Sequence, residues 1–287
     1  MSAGKFASVV VLAVSLLSSR STYAADAAAP TAAQTSRAQA LLDSAESDGK
    51  YTFLVFYKAD DAAAQTMLKT VKTELAKKQG AALLGTVSLA NPAEQVVIKR
   101  FDVARAPMPL LLAVAPNGAV TGMFSKKIAA NRVADCFVTP TMTHCMKALQ
   151  QGKIVMVCVQ TTSEATLPSG VVDLQNDPDF TDRVAALTLQ ADDEDEAPFL
   201  AQADLAPAKL KGTTTIVLAP PGVLVGTYAS TTTSDEFAAA LHEAGKCCND
   251  QNCKHNHGAK AKGAAKAGAA KPSGARQAKQ GASATRN

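Results

Sequence analysis

The chain has no tryptophan, only four tyrosines and nine phenylalanines in 287 residues. Aromatic stacking on nucleobases or sugar rings therefore has little to work with, and no specific nucleic acid is expected as a partner. The short motifs of common catalytic centres are missing too. No G-x-S-x-G, H-E-x-x-H or glycine-rich phosphate loop occurs. The apolar stretch from Phe6 to Leu17 is too short for an ordinary membrane span. No cysteine follows that stretch, which disfavours a lipid-anchored lipoprotein.

What is present begins with a leader. Lys5 supplies a small positive region, Phe6 to Leu17 the apolar segment, and Thr22-Tyr23-Ala24 a small-x-small cleavage site. Residues 1–24 are predicted to be a signal peptide, with an uncleaved anchor helix as the alternative. The expected location is the periplasm or cell envelope, or outside the cell. Residues 25–48 form an alanine-rich spacer with Pro30, followed by a short helix. Export places the six cysteines, at 136, 145, 158, 247, 248 and 253, in an oxidising compartment where they can pair.

The body of the chain repeats itself. Pro109 to Phe124 and Thr213 to Tyr228 each run from an apolar strand through Ala-Pro-x-Gly into a second strand broken by Gly122 or Gly226. That is a β-hairpin pattern, and two copies imply a duplicated unit. Before the first hairpin lie a strand apolar on both faces (Tyr51 to Lys58), a helix capped by Asp60 or Asp61, a strand (Leu83 to Leu89) and a short helix opened by Asn91-Pro92-Ala93-Glu94. Before the second lie Lys153 to Gln160, a helix or irregular segment from Asp173 to Val184, and Ala185 to Gln190. Thr233-Ser234-Asp235-Glu236 reads as a capping box for the last helix. The acidic run Asp192 to Glu196 is read as favourable charge ahead of a helix, not a calcium cage. The predicted domains are residues 49–137 and 153–245, joined by a helical linker, 138–152. The fold class is α/β, with central mixed sheets flanked by helices.

The segment F-L-V-F-Y-K-A-D-D-A-A-A-Q resembles the strand and active-site turn of thioredoxin. M-P-L-L-L-A-V-A-P-N-G resembles the segment carrying the cis-proline of thioredoxin-like proteins, which puts Pro109 at that position and Met108 before it. The resemblance covers Lys50 to about Phe137 and implies two tandem thioredoxin-like domains, the second degenerate, with Thr213 where the first has Pro109. Where the family has Cys-x-x-Cys, this chain has Asp61-Ala62-Ala63-Ala64, or Ala62 to Gln65 after a shift of one. Dithiol exchange needs a thiolate at a helix N-terminus, and alanine and aspartate do not replace it. A cis-proline strand without the cysteines still offers backbone groups to an extended peptide, so Met108 and Pro109 are the candidate binding residues.

Other cysteines leave alternatives open. Cys136 and Cys145 lie on helices joined by a tight turn, and a structural disulfide, two packed thiols and a redox pair are all compatible with that spacing. Residues 246–287 form a basic tail predicted to be disordered beyond Gly258, with nine Lys and Arg against the single Asp250. Its start holds Cys247, Cys248, Cys253, His255 and His257, a set suited to a disulfide, to zinc or copper, or to neither. Its charge would draw it weakly to anionic surfaces.

These readings give an exported, non-catalytic binding or scaffolding module with a protein or peptide partner and no required cofactor. A thiol-disulfide oxidoreductase using Cys136/Cys145 or the tail cysteines is the first alternative. A metal-binding protein working through the tail is the second.

Overall fold

The computed structural model describes residues 36–163 and 165–245. The leader and the tail lie outside the described residues. The first unit runs α1 (Arg37–Ser47), β1 (Tyr51–Tyr57), α2 (Ala62–Ala76), β2 (Ala82–Ser88), α3 (Gln95–Arg100), β3 (Leu110–Val114), β4 (Val120–Ser125) and α4 (Ala130–Ala134). The second repeats the order with α5 (Pro140–Gln150), β5 (Ile154–Gln160), α6 (Ser169–Asn176), β6 (Val184–Gln190), α7 (Ala197–Gln202), β7 (Thr214–Ala219), β8 (Val223–Ala229) and α8 (Ser234–Glu243). A 3-10 turn precedes α3 and α7, at Pro92–Glu94 and Glu194–Glu196.

Each unit holds one four-stranded sheet, ordered β2-β1-β3-β4 or β6-β5-β7-β8. In both, the first pair is parallel and the other two are antiparallel. The central strands explain themselves: β1 and β5 bury both faces, as their continuous apolar runs demand. Side chains of alternate parity feed two cores. Leu54, Phe56, Leu110 and Leu112 meet α1 and α3, while Phe53, Val55, Leu111 and Ala113 meet α2 and α4. The second unit divides the same way, with Val155, Val157 and Ile216 under α5 and α7, and Met156, Cys158 and Val217 under α6 and α8. Each fully buried valine, leucine, isoleucine, methionine or phenylalanine among these contributes about 1.5–3 kcal/mol against the entropy of ordering the chain.

The duplication reaches irregular features. The hairpins carry a bulge at the same place, between Ala113 and Val114 and between Val217 and Leu218. A glutamate at the end of each 3-10 turn is buried, with 3 % exposure for both Glu94 and Glu196.

The structure redraws three sequence expectations. Residues 138–152 are more than a linker, because α5 is the counterpart of α1 and packs on β5 and β6. The spacer's short helix likewise belongs to the first unit, burying Ala38, Leu42 and Ala45. The segment expected as helical or irregular from Asp173 to Val184 is helical only to Asn176, in a helix that begins earlier, at Ser169, where Gly170 lets it approach the Thr232 carbonyl. Asp177 ends it ahead of Pro178, whose ring disfavours helical geometry in the residue before it.

Glu94 also does something other than expected. Its carboxylate leaves Asn91 and reaches α1, accepting from Ser36 Oγ at 2.5 Å, Arg37 N at 3.0 Å and Ala38 N at 3.3 Å. An acid placed for its own helix thus satisfies the free N–H groups of another. The two units are joined tightly. Tyr51 Oη donates to Val138 O at 3.1 Å and accepts from Val138 N at 3.2 Å, pinning the connection to the first sheet. Gln150 on α5 accepts from Val120 N at 3.0 Å and donates to Val120 O at 2.7 Å, closing the outer edge of β4.

Candidate functional site

The turn from β1 into α2 is where the family would carry its dithiol. Here it is exposed and made of Lys58, Ala59, Asp60 and Asp61. The Asp61 carboxylate accepts from Ala64 N at 2.9 Å as the helix cap, and Asp60 accepts from the Gln65 side-chain amide. The helix N-terminus that would lower a thiol pKa therefore faces an aspartate. Among the described residues no cysteine lies in this turn.

The Met108–Pro109 peptide is cis. The Pro109 ring is buried and its carbonyl accepts from Lys126 N at 2.7 Å, so the proline offers a partner neither its side chain nor its carbonyl. Met108 is half-buried against the core under α1 and α3. Its amide and carbonyl enter no backbone hydrogen bond among the described residues. The binding edge expected at Met108 and Pro109 thus narrows to the Met108 backbone and thioether. In the second unit Thr213 holds the equivalent place, and the cis bond falls instead in the β7–β8 turn, at Pro220–Pro221.

The described cysteines are free thiols in separate places. Cys136 sits in the core under α2 and α4, with its Sγ donating to Arg132 O at 3.4 Å. Cys145 lies in the core under α5 and α7. Of the alternatives for Cys136 and Cys145, the structure shows two packed thiols and no bridge, because they are buried in the cores of different units. Gly122 makes the room for Cys136: a Cβ there would stand 2.6 Å from the sulfur. Burial pushes the Cys136 thiol up to about 11 and the Cys145 thiol up to about 12, with neighbouring Asp135 and Glu196 adding to the respective shifts. Cys158 is raised by burial as well. Thiols held protonated and out of solvent are poor nucleophiles.

A cleft of about 660 Å³ lies elsewhere, over the α5 and α7 face of the second unit. Met142, Met146 and Leu149 form one wall, Pro198 and Ala203 another, and Phe199, Ile216 and Leu218 line it as well. Phe137, Val138 and Asp135 of the first unit also border it, as does Leu224 of β8. The apolar stripe of α5, Met142, Met146 and Leu149, does not by itself reveal whether the surface opposite it is filled. A smaller, more polar hollow of about 590 Å³ lies beside Arg37, Tyr57, Ser88 and Asn91.

No group of three potential metal ligands clusters among the described residues. Cys247, Cys248, Cys253, His255 and His257, the set suited to a disulfide, to zinc or copper, or to neither, lie outside them. Among the described residues no helix is long and apolar enough to cross a membrane.

No family model and no curated protein matches the chain. Solved structures do. The zinc-bound form of human ERp44 aligns over 72 % of this chain and 59 % of its own length, at 13 % identity and a TM-score of 0.31. StoA from Bacillus subtilis aligns over 31 % of this chain and 82 % of its own length, at 16 % identity and a TM-score of 0.24. The N-terminal domain of the alkylhydroperoxide reductase AhpF from Enterococcus faecalis aligns over 71 % and 97 %, at 17 % identity and a TM-score of 0.25. The chain thus spans about three-fifths of the ERp44 structure's length. Overall similarity is low in each case, so the assignment rests on strand order, pairing sense, helix placement and the cis-proline ahead of β3. By those features each of the two tandem units has a thioredoxin-like fold.

Proposed function

We propose that this chain is an exported, redox-inactive binding module that holds extended segments of a protein partner at the Met108 edge. One observation carries the reading: the β1–α2 turn has aspartate and alanine where thiol exchange needs sulfur, beside a Met108 backbone with an unused donor and acceptor. An extended peptide pairing with that donor and acceptor is held through its main chain, which tolerates varied sequence. The tail cysteines and histidines are a separate element, to be assigned by non-reducing peptide mapping together with a zinc and copper assay.

The test is nuclear magnetic resonance of the amide-labelled chain titrated with reduced, carboxymethylated lactalbumin, an unfolded polypeptide with no thiols. The expected result is a shift or broadening at the amides of Met108, Asp61 and Lys126. Saturable binding that leaves all three unmoved contradicts the proposal.

A further inference from the structure

The cleft is best understood by laying the two units over one another. Thr139 and Ser36 cap equivalent helices, so Met142 stands where the first unit has Gln39, Met146 where it has Asp43, and Leu149 where it has Glu46. On the neighbouring helices Gln202 replaces Arg100 and Ala203 replaces Phe101. In the first unit that place is occupied by its own side chains. Arg100 lies over the Phe101 ring, 5.2 Å from its centroid, and donates to Gln39 Oε1 at 3.4 Å. In the second unit a methyl stands where the phenyl ring was, methionine faces it, and the groove is open.

The adjoining sheet edge differs in the same sense. In the first unit Gln150 bonds both the amide and the carbonyl of Val120, which shows that these groups point outward from β4. The hairpins share register and bulge, so Leu224 occupies the Val120 position and turns its amide and carbonyl to the outer edge of β8. Among the described residues no glutamine side chain bonds Leu224 as Gln150 bonds Val120. Val223 and Leu224 are 44 % and 51 % exposed, and β8 carries no charged residue to discourage pairing.

We infer that this groove and the β8 edge form a second binding site, for an extended apolar peptide segment of another protein with basic residues flanking it. The peptide main chain takes the place at Leu224 that the Gln150 amide takes at Val120, and its aliphatic or aromatic side chains enter between α5 and α7. Methionine walls adapt to side chains of different shape, which suits variable sequence. The basic flanks follow from charge. Asp135 is the charged residue on the rim, and residues 139–245 carry fourteen acidic against five basic side chains. A second copy of this chain fits less well, because the helix equivalent to α5, α1, has Gln39, Asp43 and Glu46 in place of methionine and leucine. The site stands independently of the Met108 edge.

The experiment is fluorescence anisotropy of the full chain with an end-blocked peptide of alternating leucine and threonine, carrying two lysines at each end. Two variants install what the first unit already has: Ala203→Phe fills the groove, and Met142→Gln makes its wall polar. The expected result is saturable binding that weakens at least tenfold with Ala203→Phe and about fivefold with Met142→Gln. Val96→Thr, an exposed change on α3, should leave it unaltered. Circular dichroism melts establish that each variant is folded; should Ala203→Phe fail to fold, Met142→Gln decides. Unchanged affinity in the folded variants overturns the inference, as does absence of saturable binding. So does a concentration-dependent dimer in sedimentation that the groove variants abolish, which would make the occupant a second copy.

Discussion

Glu94 and Glu196 hold the same place in the two units and are equally buried, but their surroundings differ. Three donors of α1 converge on Glu94. Glu196 accepts from Thr141 N at 2.6 Å, while its Oε2 has no hydrogen-bond partner among the described residues. Two residue changes account for the loss. Pro140 stands where Arg37 was and has no N–H to give, and no bond from the Thr139 hydroxyl replaces that of Ser36. The groove repeats the contrast, filled in the first unit and open in the second. The two units share a scaffold down to a bulge, while the helical face of the second lacks the local pairing that fills the first.

The largest expected effect breaks that comparison at the glutamates. Glu94→Ala strands three donors and should cost roughly 3 kcal/mol or more, whereas Glu196→Ala strands one and should cost about 1–2 kcal/mol. Denaturant titration of both variants checks it, and equal losses would show that the missing donors do not matter. Next come the hairpin glycines. Gly122→Ala drives a methyl into Cys136 and should cost about 1–3 kcal/mol, largely restored by adding Cys136→Ala. Gly226→Ala meets the ring end of Tyr228, whose hydroxyl lies 2.8 Å from the added carbon, and should cost less because that end can swing away.

Alkaline pH gives a more gradual effect. The Cys145 thiol is pushed from 9.0 to about 12 by folding, so below 9.0 both states keep the proton and stability is unaffected. Above 9.0 the unfolded chain loses that proton while the folded chain retains it. Stability therefore falls as pH climbs from 9.0 toward about 12. Melting curves across that range should decline less steeply for Cys145→Ala than for the parent. The smallest effect belongs to the clamp between the units. Gln150→Ala should cost about 0.5–1 kcal/mol and speed exchange of the Val120 amide, seen by hydrogen exchange.

Much of the scaffold was legible beforehand because it rests on local rules. The apolar runs of β1 and β5, the Asp61 cap, the Thr233–Glu236 capping box and the paired hairpins each follow from residues within a few positions of one another. The cis peptide at Pro109 came from resemblance. Long-range relations were not legible. Glu94 looked like a cap for its own turn because its partners lie about sixty residues earlier. Helix α5 looked like a linker until its packing on β5 and β6 showed it to be the counterpart of α1. The groove was hidden because it consists of an absence, Ala203 in place of a phenyl ring, which only comparison of the two units exposes. Cys136 and Cys145 were close in sequence, but proximity along the chain says nothing of which core each enters.

The measurement that bears most directly on the central claim is dithiothreitol-driven insulin reduction by the full chain. The account predicts a rate equal to that of dithiothreitol alone, with Asp61→Cys/Ala64→Cys raising it by placing thiols at the α2 N-terminus. A parent chain that accelerates the reaction, and loses that activity when Cys247, Cys248 and Cys253 are changed to serine, would contradict it.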